Sequence, residues 1–248
     1  MGKTFQALER AEKEFRAKGI DVPIKPQEEA LDHPPRVKTG HVARDCYEAL
    51  KINLLARHPD KSIKTLLFSG TMHGDGSSTT AINFANTLAK NCQLKVLLIE
   101  ANLRTPSLHE VFHLAPDHGI SDLLNDGNKP EAILKKVGPQ NLYVVTPGTR
   151  HAGPVSLFEA KTFSDFLKSM REKFDYVILD GPPILSFSES RVLCSMVDGV
   201  VMVLASGRTR RQVAARAKQE IEEAGGKVLG VVLNRRKFHI PTWIYEKL

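Results

Sequence analysis

Six short apolar runs, separated by stretches with helical patterning, constrain the fold of this chain more than any other feature. The runs are Thr65–Ser69, Lys95–Ile99, Leu142–Thr146, Tyr176–Asp180, Gly199–Ala205 and Val228–Leu233. They are rich in Val, Ile and Leu and do not alternate strictly, which is the pattern of strands buried on both faces. Helical patterns cover 78–91, 120–136, 158–173, 188–196 and 209–224. This rhythm predicts an α/β fold, a doubly wound and mostly parallel sheet with helices on both faces. The globular unit spans Ile63 to Asn234, and ligands of such sheets bind at the carboxyl ends of the strands.

Helices precede this unit. Residues 1–20 form an amphipathic pattern with Phe5, Leu8 and Phe15 on one stripe, ending near Gly19. Residues 21–39 hold four prolines and no periodicity, so they read as a linker. A second helix is expected over 40–57, with Val42, Cys46, Ala49, Leu50 and Leu54 inward. The chain thus divides into 1–39, an N-terminal helix and proline-rich linker, and 40–248, the main domain. The first helix either docks on a partner or membrane face or packs as a solvated helix on its own domain.

Composition narrows the setting. No apolar run reaches the roughly 18 residues that span a bilayer, and the charged N-terminus lacks the apolar core of a secretory signal. Cys46, Cys92 and Cys194 make no disulfide framework or metal spacing; all three read as buried thiols in a reducing, cytoplasmic compartment. The formal charge of +7 is spread along the chain. With no helix-turn-helix or basic-aromatic tract, no specific nucleic-acid partner is expected. Weak attraction to anionic lipid and a plain basic surface both remain open.

The first strand runs into SGTMHGDGSSTT and then a helix. A glycine-rich turn lets backbone N–H groups converge on an anion, and the helix N-terminus adds its positive dipole end. Gly74, Asp75, Gly76, Ser77, Ser78 and Thr79 are therefore the candidate nucleotide-binding residues. A hydroxyl after the turn can ligate magnesium, and Ser78 holds that place. The full phosphate-loop motif has lysine just before it, where this chain has Ser77. The same loop also fits an ordinary strand-to-helix turn capped by Ser and Thr. Asp180 ends a buried strand, where it could bind magnesium through water. Glu100 ends another, where it could act as a base. A strand-terminal acid taken alone is more often a cap or turn residue.

The motifs GDGSSTTAINFA, KVLLIEANLRTPSLHEVF, GISDLL, LYVVTPG, FDYVILDGPPIL, VDGVVMVL and GKVLGVVLN together resemble the bacterial tyrosine kinases of capsule and exopolysaccharide systems. That family lies within the wider MinD and ParA group of P-loop ATPases. The resemblance covers nearly the whole chain. It implies Mg-ATP or Mg-ADP bound between subunits of a ring-shaped homo-oligomer. It also implies phosphorylation of a tyrosine-rich tail in trans. The implied partner is a membrane polysaccharide co-polymerase, the chain-length regulator, which would recruit a cytoplasmic chain to the inner face of the plasma membrane. By position, Gly74 and Gly76 would line the phosphates, and Ser78 and Asp180 would hold magnesium. Asp180 and Glu100 would be the catalytic acids. Asn234 would contact adenine.

Several positions depart from the family. Ser77 replaces the lysine, and His73 replaces the usual proline. Glu100 and Asn102 stand where two aspartates are usual, and neutral Asn102 cannot accept a tyrosine proton. Asp45, Glu48 and Lys51 replace a Glu-x-x-Arg-x-x-Arg run in the ring-forming helix. Only Tyr245 lies where a tyrosine cluster is usual; Tyr143 and Tyr176 fall in strands and are expected to be buried. Losing one transition-state stabiliser costs about 10²–10³ in rate, so a degenerate, pseudokinase-like member with weak or no turnover is the leading expectation. An active autokinase with Tyr245 as phosphoacceptor is the first alternative, with Arg104 the first candidate for a substitute cation. A ParA- or MinD-like positioning ATPase is the second, although that group carries a lysine early in the loop, where Thr71, Met72 and His73 stand. Arg208, Arg210 and Arg211 open a helix, where positive charge is unfavourable. They hint at an anionic partner such as a phosphate, against the plain reading of a solvated helix start. Arg235, Arg236 and Lys237 follow Asn234 and could reach a nucleotide or an acidic partner.

Overall fold

The computed structural model describes residues 41–57, 63–91, 94–126, 130–138, 141–149 and 153–235. The expected helix 1–20, the linker 21–39, Cys92, Arg236, Lys237 and Tyr245 lie outside them. Among the described residues the strands are β1 (Thr65–Gly70), β2 (Val96–Glu100), β3 (Lys135–Val137), β4 (Leu142–Val145), β5 (Tyr176–Asp180), β6 (Gly199–Ala205) and β7 (Val228–Asn234). They form one sheet in the order β3-β4-β2-β5-β1-β6-β7. All pairings are parallel except β3 with β4. Every residue of β1, β2 and β6 is buried, which is why these runs carry no polar alternation.

The helices are α1 (His41–Arg57), α2 (Ser77–Asn91), α3 (Leu108–Val111), α4 (Ile120–Asp126), α5 (Pro154–Glu159), α6 (Lys161–Lys173), α7 (Glu189–Met196) and α8 (Arg211–Glu223). On one face of the sheet, Phe158, Phe163, Phe166, Met170, Leu193 and Ile221 close over Leu67, Leu97, Ile99, Val177 and Leu179. On the other, Ile82, Phe84, Leu88 and Phe112 cover Leu66, Phe68, Leu98 and Ile178. The result is the expected three-layer, P-loop-like arrangement with helices on both faces.

Three expectations about the helices are corrected. The helix expected over 120–136 ends at Asp126; a short 3-10 turn, Pro130–Ile133, and strand β3 follow. Pro130 cannot continue a helix through its missing N–H, and Lys135–Val137 gain an antiparallel ladder on β4 instead. The helix expected over 158–173 is two helices, because Ala160 is extended at φ −62 and ψ 138. In α1 the inward stripe is Tyr47, Leu50 and Leu54, which pack on the core, while Cys46 and Ala49 face outward.

The thiols therefore differ. Cys46 is exposed, whereas Cys194 is buried and burial pushes its thiol up to about 12, with Arg191 pulling the other way. Tyr143 and Tyr176 are half-buried rather than buried. Tyr143 sits edge-on to Phe174 at 5.4 Å, and Tyr176 packs beside the α2 face of the core.

Candidate functional site

The parallel strands deliver their carboxyl ends to one side of the sheet. β1 lies between β5 and β6, and its exit loop, 71–76, runs directly into α2. Gly74 and Gly76 have φ values of +87 and +89, a region that side-chain-bearing residues rarely adopt. The loop encloses its own acid. Asp75 is 2% exposed, and its Oδ2 accepts bonds from Thr71 N at 2.9 Å, Thr71 Oγ1 at 2.7 Å and Met72 N at 3.0 Å. Its Oδ1 accepts from Thr209 Oγ1 at 3.3 Å, and its carbonyl accepts from Asn234 Nδ2 at 3.0 Å. The side chain of Asp75 thus shapes the loop from within.

Beside the loop lies a cleft of roughly 300 Å³, lined in part by Gly74, Gly76, Ser77, Ser78, Thr79 and Asn102. Five of the six residues expected in the phosphate loop line it, all but Asp75. Asn234 stands at its edge. A Cβ placed on Gly76 would meet Asn234 Nδ2 at 2.1 Å, so only glycine lets this amide close on the loop. Asn234 Oδ1 accepts from Arg235 N at 2.8 Å, which fixes the amide's orientation.

Two carboxylates end adjacent strands. Glu100 of β2 and Asp180 of β5 are register partners, and both are 0% exposed. Glu100 Oε2 accepts from Ser107 N at 2.7 Å and Leu108 N at 2.8 Å, so it caps the start of α3. Burial, then the charge of Asp180, holds the Glu100 carboxyl well above the usual carboxylate range, against the opposing N–H groups. Burial raises the Asp180 carboxyl to about 7, with the Ser78 hydroxyl pulling the other way. Neither Asp180 oxygen has a hydrogen-bond partner of good geometry. Two buried, unsatisfied oxygens are costly and mark a place that a cation or proton can fill. No group of three or more Cys, His or acidic residues that could hold a metal occurs among the described residues. A cation there would rest on Asp180, the Ser78 hydroxyl and further oxygens, a donor set that suits magnesium.

Asn102 is occupied locally. Its Nδ2 donates to Thr105 Oγ1 at 2.9 Å and its Oδ1 accepts from Thr105 N at 3.3 Å. Arg104 does not reach the loop: its Nε donates to Glu189 Oε1 at 2.8 Å, and its guanidinium lies 5.3 Å from the Phe187 ring centroid. The basic residue that does reach the loop is Arg208. A Cβ on Gly74 would lie 3.0 Å from Arg208 Nη1. The sequence marked Arg208 within a basic run that hinted at an anionic partner, and gave no sign of Thr209 as a loop partner. Their position just after a central strand was the available signal.

An AAA domain model matches residues 63–212. Tyrosine-protein kinase YwqD of Bacillus subtilis (strain 168) is 31% identical over 191 residues, covering 77% of this chain and 80% of the relative. The chimerical protein CapA2B2 superposes with a TM-score of 0.76 at 25% identity, covering 82% of this chain and 88% of that one. The septum site-determining protein MinD complexed with Mg-ADP, from Pyrococcus horikoshii OT3, shares the fold at a TM-score of 0.60 and 18% identity. That match covers 75% of this chain and 76% of the other. No helix among the described residues is long and apolar enough to cross a membrane.

Proposed function

Since the chain belongs to the AAA-domain family of the bacterial tyrosine-protein kinases, we propose that it is a nucleotide-binding pseudokinase subunit of an exopolysaccharide or capsule export system. In this reading it regulates or scaffolds a membrane co-polymerase at the inner face of the plasma membrane, alone or as a homo-oligomer, and turns over ATP weakly or not at all.

One observation carries the reading: Glu100 is fully buried, with Oε2 bonded to Ser107 N and Leu108 N and Oε1 enclosed without a partner. Its neighbour two residues on, Asn102, is neutral and closed on Thr105. Asn102 cannot accept a tyrosine proton, and Glu100 is closed off from solvent and so from an incoming tyrosine hydroxyl. Ser77 adds no charge at the phosphates. Two altered stabilisers, each worth about 10²–10³ in rate, would leave a kinase near silence.

The binding apparatus is less affected. Gly74, Gly76, Ser77 and Thr79 would receive the phosphates through the loop and the start of α2. Ser78 and Asp180 would hold magnesium, which when bound neutralises phosphate charge. Asn234 would face the base. Asp75 would keep the loop open by filling its interior.

The test is Mg-ATP binding and turnover by the purified chain, with phosphotyrosine read in parallel. The expected outcome is saturable binding with no phosphotyrosine. Rapid turnover would sink the pseudokinase reading. The active autokinase keeps one specific support, an Asp180 still open to a cation. It requires phosphotyrosine that Tyr245→Phe abolishes.

A further inference from the structure

The turn after β6 carries an arginine to the phosphate loop. Arg208 N and Thr209 N both donate to Ala205 O, at 3.1 and 3.0 Å, which folds this segment back tightly. Thr209 Oγ1 accepts from Ala205 N at 3.3 Å and donates to Asp75 Oδ1 at 3.3 Å. The turn is thereby tied to the loop's buried acid. That tie leaves the Arg208 guanidinium against Gly74, with Nη1 3.0 Å from where a Cβ would stand.

Charge at the loop is otherwise short. Ser77 replaces the motif's lysine. Asp75 is filled by Thr71 and Met72 and does not pair with Arg208. Among the described residues no carboxylate forms an ion pair with Arg208, whereas Arg104 is committed to buried Glu189. Arg208 is exposed, so solvent screens it, but a guanidinium held beside a helix N-terminus adds to the positive potential there and favours an anion in the same space. Across β1 from Arg208, Asp180 ends β5 fully buried, with no hydrogen-bond partner of good geometry on either oxygen, and can take a cation. A buried acid on one side of β1 and a guanidinium on the other, flanking the loop that β1 feeds, are what a metal-bound polyphosphate would use together.

We propose that Arg208 supplies, in cis and from the opposite side of the loop, the phosphate-neutralising charge that Ser77 lacks. The ligand class is a nucleoside di- or triphosphate. This inference rests on the reading of the loop as a nucleotide site. A guanidinium can place two parallel N–H donors on phosphate oxygens, so the replacement changes the geometry of the contact as well as its origin.

The experiment titrates Mg-ATP and Mg-ADP into the full chain in four forms: native, Arg208→Gln, Arg104→Gln, and Arg208→Gln combined with Ser77→Lys. Melting temperature is recorded without ligand for each. Arg208→Gln is expected to weaken Mg-ATP binding about tenfold or more while melting as the native chain does. Arg104→Gln should bind like the native chain, and Ser77→Lys should restore binding to the Arg208 variant. Unchanged binding in Arg208→Gln overturns the proposal and leaves the nucleotide site standing. So does a loss that Ser77→Lys fails to restore, since charge was then not what Arg208 supplied. No nucleotide binding by the native chain overturns both this proposal and the site itself.

Discussion

Glu100 and Asp180 stand side by side at the ends of β2 and β5, both fully buried, yet only Glu100 receives backbone N–H donors, and those on one oxygen alone. Two carboxylates so placed cannot both ionise cheaply, and the pair titrates as a unit.

Stability should therefore fall as pH rises. Asp180 moves from 3.8 in the unfolded chain to about 7 when buried, so the folded state binds more protons across that window. Its contribution is fully present below about pH 4 and lost as pH climbs through 7, to a ceiling of roughly 4 kcal/mol. Glu100, shifted in the same direction, adds to the trend. Denaturant melts from pH 5 to pH 8 should show declining stability, and Asp180→Asn should flatten part of the decline. A flat native profile would contradict the buried pair.

Removing the cap separates charge from hydrogen bonding. Glu100→Ala leaves Ser107 N and Leu108 N without an acceptor and should cost about 2–4 kcal/mol. Glu100→Gln keeps an acceptor for both N–H groups, so its cost should be far smaller. Equal losses in equilibrium unfolding would mean that the cap contributes little.

Restoring the lysine should help binding more than chemistry. Ser77→Lys adds a charge-assisted contact of about 1.5–3 kcal/mol, which tightens Mg-ATP binding by about tenfold or more. Turnover should stay near background, because Asn102 and the committed Glu100 are unchanged. Steady-state hydrolysis beside calorimetric titration distinguishes the two effects.

Gly76→Ala should abolish nucleotide binding. A methyl group there meets Asn234 Nδ2 at 2.1 Å and sits on a backbone with φ +89. Adding Asn234→Ala relieves the collision but leaves the backbone strain, about 1–2 kcal/mol, and removes the amide proposed to face the base, so binding should recover only in part. Full recovery in a binding titration would show that the collision alone mattered.

The strands were legible in the sequence because each is a compact apolar run bounded by turns; β5 and β6 matched their expected limits to the residue. β3 was not legible. Its Lys135-Lys136-Val137 has a single buried apolar residue, and the strand exists only through its pairing with β4. The glycine-rich loop after β1 was readable as a candidate site from its glycines and hydroxyls. The commitment of Glu100 to α3 was not, since it joins a strand end to backbone seven and eight residues on. Arg104 looked nearer to the loop in sequence than Arg208, which is more than 130 residues from Gly74. Strand order reverses that, because β6 borders β1 and β2 does not.

Asp75 holds the loop from inside, through Thr71, Met72 and Thr209, without calling on Ser77. Shape and charge are consequently assigned to different residues. The cradle stays preformed whichever side chain occupies position 77, so binding need not pay to order it. A chain built this way can exchange the source of its positive charge, or lose catalytic power, while the pocket that recognises its ligand keeps its form.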